Sequence, residues 1–242
     1  MIMAVSLKLM LRAAVPVAFA AFITGCAGNQ ARQDDVPPQA SRTDSVQPAT
    51  AAAVDPKDTR PVIVTFGDSI SAGFGVEPGK SYPDDLQKLL DSAGYHYRVV
   101  NLGVSGDTTT DALERVPSVI AIHPSIAVLE FGGNDGLRGL PVASARKNLA
   151  AIVDKLQAAH IRVLLAGMTL PRNYGPEYIQ SFDQMYLDLA KKYKLARIPF
   201  VLDGVGGHPD LTQPDGIHPT AQGAIIVARN VFKYLEPLLS KT

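Results

Sequence analysis

The stretch "VIVTFGDSISAGFG", Val62–Gly75, runs a short apolar segment into a glycine-rich turn and leaves a hydroxyl, Ser69, just past the break. A near-continuous apolar run of that length, rich in β-branched residues, predicts a strand covered on both faces. Gly67 and Asp68 then end it, because both residue types favour turns. Four more runs have the same character: "YRVVNL" (Tyr97–Leu102), "IAVLEF" (Ile126–Phe131), "RVLLAGM" (Arg162–Met168) and "RIPFVL" (Arg197–Leu202). Helical periodicity lies between and after them. Leu86, Leu89, Leu90 and Ala93 fall on one face with Gly94 as the stop, Leu149, Ile152, Val153 and Leu156 on another, and Ile225, Ala228, Phe232 and Leu235 mark a last helix. This alternation predicts an α/β fold, a five-stranded parallel sheet between two helical layers. Ligands of such sheets bind beyond the C-terminal ends of the strands.

Four short stretches occupy that edge: "GDS" after the first strand, "GVSGDTT" after the second, "GGNDGLRG" after the third and "PDGIHP" after the last. A serine hydroxyl attacks an acyl carbon usefully only when a neighbouring base takes its proton. His218 is the candidate base, since neutral imidazole titrates near working pH. Asp215, three residues earlier in the same turn, can accept from the other ring nitrogen and fix the tautomer. The oxyanion that forms needs donors, and the N–H groups of Ser69 and Gly106 with the side-chain amide of Asn134 supply three. Leu137, Leu140 and Pro141 after Asn134, with Met168, Leu170 and Tyr174 after the fourth strand, are candidate lining for an acyl or aryl group.

Taken singly, each stretch is also ordinary turn chemistry. His96, His123 and His160 stand without partners and read as surface or structural residues. His208 with Asp210, Asp215 and His218 could form a metal site, but the four crowd one irregular loop and lack the i, i+4 spacing of helical zinc motifs. No metal and no cofactor is expected.

In this order, "GDSISAGFG", Gly106 in "SGDTT", Asn134 in "GGND" and "DGIHP" resemble the four sequence blocks of the SGNH, or GDSL, hydrolases. The likeness covers about Pro61 to Leu239. "GGNDGLRG" and "LPRNYG" are similar to the exported multifunctional thioesterase, lysophospholipase and arylesterase subgroup. The resemblance implies a flavodoxin-like sheet, Ser69 as nucleophile, Asp215 and His218 as the rest of a triad, and Ser69, Gly106 and Asn134 as the oxyanion hole. It also implies that the loop Gly136 to Pro141 moves against the acyl chain. Ile70 stands where the family usually has Leu.

The N-terminus carries Lys8 and Arg12, an uncharged stretch from Ala13 to Ile23, then "ITGC". That apolar stretch falls short of the roughly 20 residues that span a bilayer, so it reads as an export signal over residues 1–26. The ending resembles the bacterial lipoprotein signal, which makes Cys26, the only cysteine, the candidate lipidation site. Ala27 after it implies sorting to the outer membrane, facing the periplasm. Residues 27–60 hold no Leu, Ile, Phe or Tyr and read as a disordered tether with ends roughly 30 to 35 Å apart. Residues 61–242 are then the hydrolase domain. Lys plus Arg and Asp plus Glu both number 23, without a basic block, so nucleic acid is not an expected partner. The expected partners are a small acyl or aryl ester and, through the lipid anchor, a membrane. The expected function is hydrolysis of carboxylic esters, among them lysophospholipids or other lipid esters, with incidental thioesterase activity. The alternatives are an O-acetyl esterase of envelope polysaccharide and a non-catalytic envelope lipoprotein that uses the fold to bind.

Overall fold

The computed structural model describes residues 58–241. The expected export signal, Cys26 and the tether as far as residue 57 lie outside them. Asp58 and Arg60, within the expected tether, fold back beside the sheet: Arg60 Nη2 meets Asp58 Oδ2 at 2.7 Å and Nη1 donates to the Tyr97 carbonyl at 3.4 Å.

Strands β1 (Val62–Gly67), β2 (Arg98–Asn101), β3 (Ile126–Glu130), β4 (Arg162–Ala166) and β5 (Ala196–Ile198) form one parallel sheet in the order β2-β1-β3-β4-β5. Every residue of β1 and β3 is buried, which is why neither shows polar alternation in sequence. From β1 the chain steps one way to β2, then crosses back over β1 to β3. The C-terminal crevice of a doubly wound sheet opens at that reversal.

The helices are α1 (Ser69–Ala72), α2 (Tyr82–Ser92), α3 (Thr109–Ala121), α4 (Gly133–Leu137), α5 (Val142–Ala158), α6 (Pro176–Tyr193) and α7 (Ala221–Leu235). α2 packs with α7, while α3, α5 and α6 pack side by side, as right-handed crossovers to opposite sheet faces require. Leu86 and Leu90 of α2 and the α5 set Leu149, Ile152, Val153 and Leu156 are fully buried. Capping boxes start α2 at Ser81 and Asp84 and α3 at Thr108 and Asp111.

Two expectations are corrected. The fifth strand ends at Ile198, not Leu202, because Pro199 has no N–H for the ladder; Val201 and Leu202 remain buried, but in turns. On α7 the buried face is Ala224, Val227, Ala228, Val231 and Leu235. Ile225 is 41% exposed, and Phe232 sits at the margin, edge-on to Tyr95.

Candidate active site

The break after β1 places Ser69 at the first turn of α1. Asp68 precedes it, and its Oδ1 accepts from the Ile70 N–H at 3.1 Å, so the aspartate of "GDS" caps that turn. The loop from Thr212 to Thr220 approaches from the far end of the chain. It closes on itself through the Thr212–Pro219 bridge and the Gln213 N–H to His218 carbonyl bond of 2.7 Å. Gln213 Nε2 donates to the Phe74 carbonyl at 2.7 Å and to the Pro219 carbonyl at 3.0 Å, pinning this loop to the turn after α1.

That pinning brings His218 to Ser69. Nε2 lies 2.8 Å from Ser69 Oγ, and Nδ1 lies 2.6 Å from Asp215 Oδ2. Asp215 Oδ1 also accepts the N–H groups of Ile217 at 2.9 Å and His218 at 3.0 Å. Partial burial pushes the Asp215 carboxyl up, but the His218 ring and those two N–H groups outweigh it and hold it below the usual range. The Phe74 ring lies against the imidazole, centroids 4.6 Å apart.

Gly106 occupies φ +87°, the left-handed region in which glycine is unstrained. Among the described residues, neither its N–H nor that of Ser69 joins a backbone hydrogen bond. Arg138 holds the loop by donating to the Gly106 carbonyl at 2.8 Å. Asn134 Nδ2 donates to the Asp107 carbonyl at 2.9 Å and to Asp68 Oδ2 at 3.2 Å, so its amide is oriented by both the Gly106 loop and the Ser69 turn. Asp135, next in "GGND", instead accepts from the N–H and Oγ1 of Thr109 at 2.9 and 2.6 Å and anchors α4 to α3.

Arg115 of α3 is a residue that sequence reasoning missed. Its guanidinium meets Asp107 Oδ2 at 2.7 Å and donates to the carbonyls of Leu102 at 2.9 Å and Gly67 at 3.3 Å, stacked near the rings of Phe66 and Phe131. Its hydrogen bonds tie the end of β1 to the loop after β2. Burial pushes the Asp107 carboxyl up against the pull of this pair. A mid-helix arginine carries no motif, so nothing in the sequence marks it.

A cavity of about 310 Å³ opens beside Asn134's helix. Leu137, Met168 and Leu170 line it, and so do Phe200, Leu202 and Ile217, which sequence reasoning did not assign. Leu140, Pro141 and Tyr174 do not. Leu140 is 38% exposed, Pro141 caps α5, and the Tyr174 hydroxyl is spent on the Leu137 carbonyl at 2.8 Å. Tyr178 makes the matching bond to the Leu140 carbonyl at 2.7 Å, so two tyrosines hold the loop Gly136 to Pro141 from outside.

His123 and His160 both adopt positive φ, 52° and 61°, where α3 and α5 end. Among the described residues no three His, Cys, Asp or Glu side chains converge as metal ligands would, so His208 and Asp210 do not complete a set with Asp215 and His218. No helix among these residues is long and apolar enough to cross a membrane.

Residues 65–225 match the GDSL-like Lipase/Acylhydrolase family. The chain is 44% identical over 178 residues to Esterase TesA of Pseudomonas aeruginosa, covering 73% of this chain and 89% of that one. It is 35% identical over 191 residues to Thioesterase 1/protease 1/lysophospholipase L1 of Escherichia coli, covering 78% and 88%. Among solved structures, that of TesA superposes with a TM-score of 0.72 at 44% identity, over 74% of this chain and 99% of that one. A psychrotrophic esterase EstA from Pseudoalteromonas sp. gives 0.70 at 29% identity, over 73% and 97%.

Proposed function

From the premise that the chain belongs to the GDSL-like lipase/acylhydrolase family and is an ester hydrolase, we propose that it works through Ser69, His218 and Asp215 on monoacyl or aryl esters. The observation that carries this reading is the unbroken chain of contacts, Asp215 Oδ2 to His218 Nδ1 at 2.6 Å and His218 Nε2 to Ser69 Oγ at 2.8 Å. Nδ1 carries the proton bonded to Asp215, which leaves the Nε2 lone pair facing the serine O–H. Ser69 Oγ attacks the ester carbon as its proton passes to Nε2, and the carbonyl oxygen becomes an oxyanion. The N–H groups of Ser69 and Gly106 receive it, and Asn134 joins them by sharing the hydrogen of the longer of its two present bonds, the one to Asp68. The imidazolium, facing Asp215, gives its proton to the departing alcohol. Water then repeats the sequence on the acyl-enzyme: His218 takes its proton, the acid leaves, and Ser69 regains its hydrogen.

The cavity supports this substrate class. At about 310 Å³ it stands at the small end of ligand pockets, and its lining of Leu137, Met168, Leu170, Phe200 and Ile217 is apolar. It suits one acyl or aryl group better than a diacyl lipid, and an apolar wall separates chain lengths by only about 1–3 kcal/mol per methylene, so breadth is expected. Lysophospholipids and similar lipid esters fit that description, and the N-terminal signal with Cys26 supports a lipid-tethered enzyme of the cell envelope. Acyl-CoA is not expected outside the cytoplasm, which makes thioester cleavage incidental. Acetylated glycans would need an open polar cleft, so the O-acetyl esterase reading has less support.

A panel of p-nitrophenyl esters, lysophospholipids, diacyl phospholipids and acetylated glycans, run on the parent and on Ser69→Ala, tests both parts. Expected are turnover of aryl esters and monoacyl lipids and loss of all of it in the variant. Glycan deacetylation as the leading activity overturns the substrate class, and a Ser69→Ala protein that keeps turnover overturns the site.

A further inference from the structure

Glu130 ends β3 with no exposed surface, directly behind the Ser69 turn. Its Oε2 accepts from Ser71 Oγ at 2.8 Å and from the N–H groups of Ser71 and Asp68, both at 3.3 Å. Ser71 Oγ in turn bonds the buried Tyr82 hydroxyl at 3.0 Å. Gly67 leaves room for this cluster, since a Cβ there would collide with Ser71 Oγ and Glu130 Oε2. The glycine of "GDS" is therefore the residue that lets the strand pass close to a carboxyl group.

Glu130 Oε1 meets no donor, and among the described residues no Lys, Arg or His forms an ion pair with Glu130 or Asp68. Arg115, the nearby cation, is committed to Asp107. The Asp68 carboxyl is buried in the same cluster, and the Asp68 N–H donates to Glu130 Oε2 at 3.3 Å. Two neighbouring carboxylates buried without a cation repel, and a proton on one of them removes the repulsion and supplies a donor to the other.

We propose that Glu130 is a positioning residue for ester hydrolysis, an un-ionised acid whose proton bridges to Asp68 and fixes both the Ser69 turn and the Asn134 amide. The proposal rests on the assignment of Ser69 and Asn134 above. Asp68 is the hub: one oxygen caps the Ile70 N–H, the other accepts from Asn134, and Glu130 supplies the donor that holds the carboxyl in place. Burial, then the adjacent Asp68 charge, push the Glu130 carboxyl well above its ordinary range, in agreement. The other ionisable groups facing the pair are Tyr82 of α2, Tyr186 of α6, Asp107, and His218 across the Ser69 turn. None is a cation bonded to Glu130.

The test compares the full-length parent with Glu130→Gln, Glu130→Leu and Ser69→Ala on a p-nitrophenyl ester. Glutamine keeps one donor and one acceptor, so its kcat is expected within about threefold of the parent. Leucine keeps the volume without either, and its kcat is expected to fall about a hundredfold while KM moves by less than about twofold. At neutral pH the parent's infrared spectrum should hold an un-ionised carboxylic acid band that Glu130→Gln lacks. Parental kcat in Glu130→Leu, equal impairment in both Glu130 variants, or no such band in the parent overturns the role of Glu130 alone. If the leucine variant does not fold, the glutamine variant and the band decide. A Ser69→Ala enzyme with normal turnover overturns the site assignment and this proposal together.

Discussion

The two halves of the candidate site are built in opposite ways. The Ser69 half grows from the end of a fully buried strand, with Asp68, Ser71, Glu130 and Tyr82 sealed behind it. The His218 half is a loop at the surface, with 39% of the Asp215 side chain and 19% of the His218 side chain exposed. Ser69 is thus fixed by burial and His218 by a few named bonds, Gln213 to the Phe74 carbonyl and the Thr212–Pro219 bridge above all. Changes behind the serine should act on folding and chemistry together, whereas changes around the histidine should act on chemistry with the fold intact.

The sharpest break of this contrast is His218→Ala. It removes the proposed base from an exposed loop, so turnover should fall about 10⁴-fold with no loss of thermal stability, read by ester hydrolysis beside a melting curve. Asn134→Ala, on the shared boundary, should lower kcat about a hundred- to a thousandfold with little change in KM. Gln213→Ala unpins the His218 loop from the turn after α1, and about a tenfold loss of kcat is expected because its bonds hold the Nε2 to Oγ distance without touching substrate. Arg115→Met inverts the pattern. It strands Asp107 and frees the carbonyls of Leu102 and Gly67, so about 1–3 kcal/mol of stability should be lost, a melting temperature lower by roughly 2–10 °C.

The smallest effect concerns pH. Burial raises Asp68 to about 6, against the lowering pull of the Ile70 N–H, and raises Glu130 as well. Between the ordinary carboxylate range and those values the native chain binds more protons than the unfolded chain, so this pair's contribution to stability is complete below about pH 4 and declines as pH rises through about 6. Asp215 and Asp111, held below their ordinary range, contribute in the opposite direction at lower pH. The difference between parent and Glu130→Gln isolates the pair: the parent's melting temperature should fall further than the variant's between pH 4 and pH 7, by a few degrees.

Sequence alone carried the strand pattern, the sheet edge and the residues that meet there, because buried parallel strands and turn chemistry are local signals. It stopped where tertiary packing decides. Glu130 sat unnoticed in "IAVLEF", although a lone charged residue closing an otherwise apolar strand was the available clue. Gln213 and Arg115 act through backbone carbonyls far away in the chain, and no spacing announces such bonds. Pro199 could have shortened the fifth strand at once. On α7 small residues, Ala224 and Ala228, face inward, and periodicity weighted by size favoured Ile225 instead.

The central claim is that Ser69 is the nucleophile and His218 its base. Treatment with a fluorophosphonate followed by peptide mass analysis tests it most directly. The account predicts one adduct, on Ser69, formed rapidly in the parent and lost in His218→Ala. An adduct on another residue, or labelling of Ser69 at an unchanged rate without His218, would contradict it.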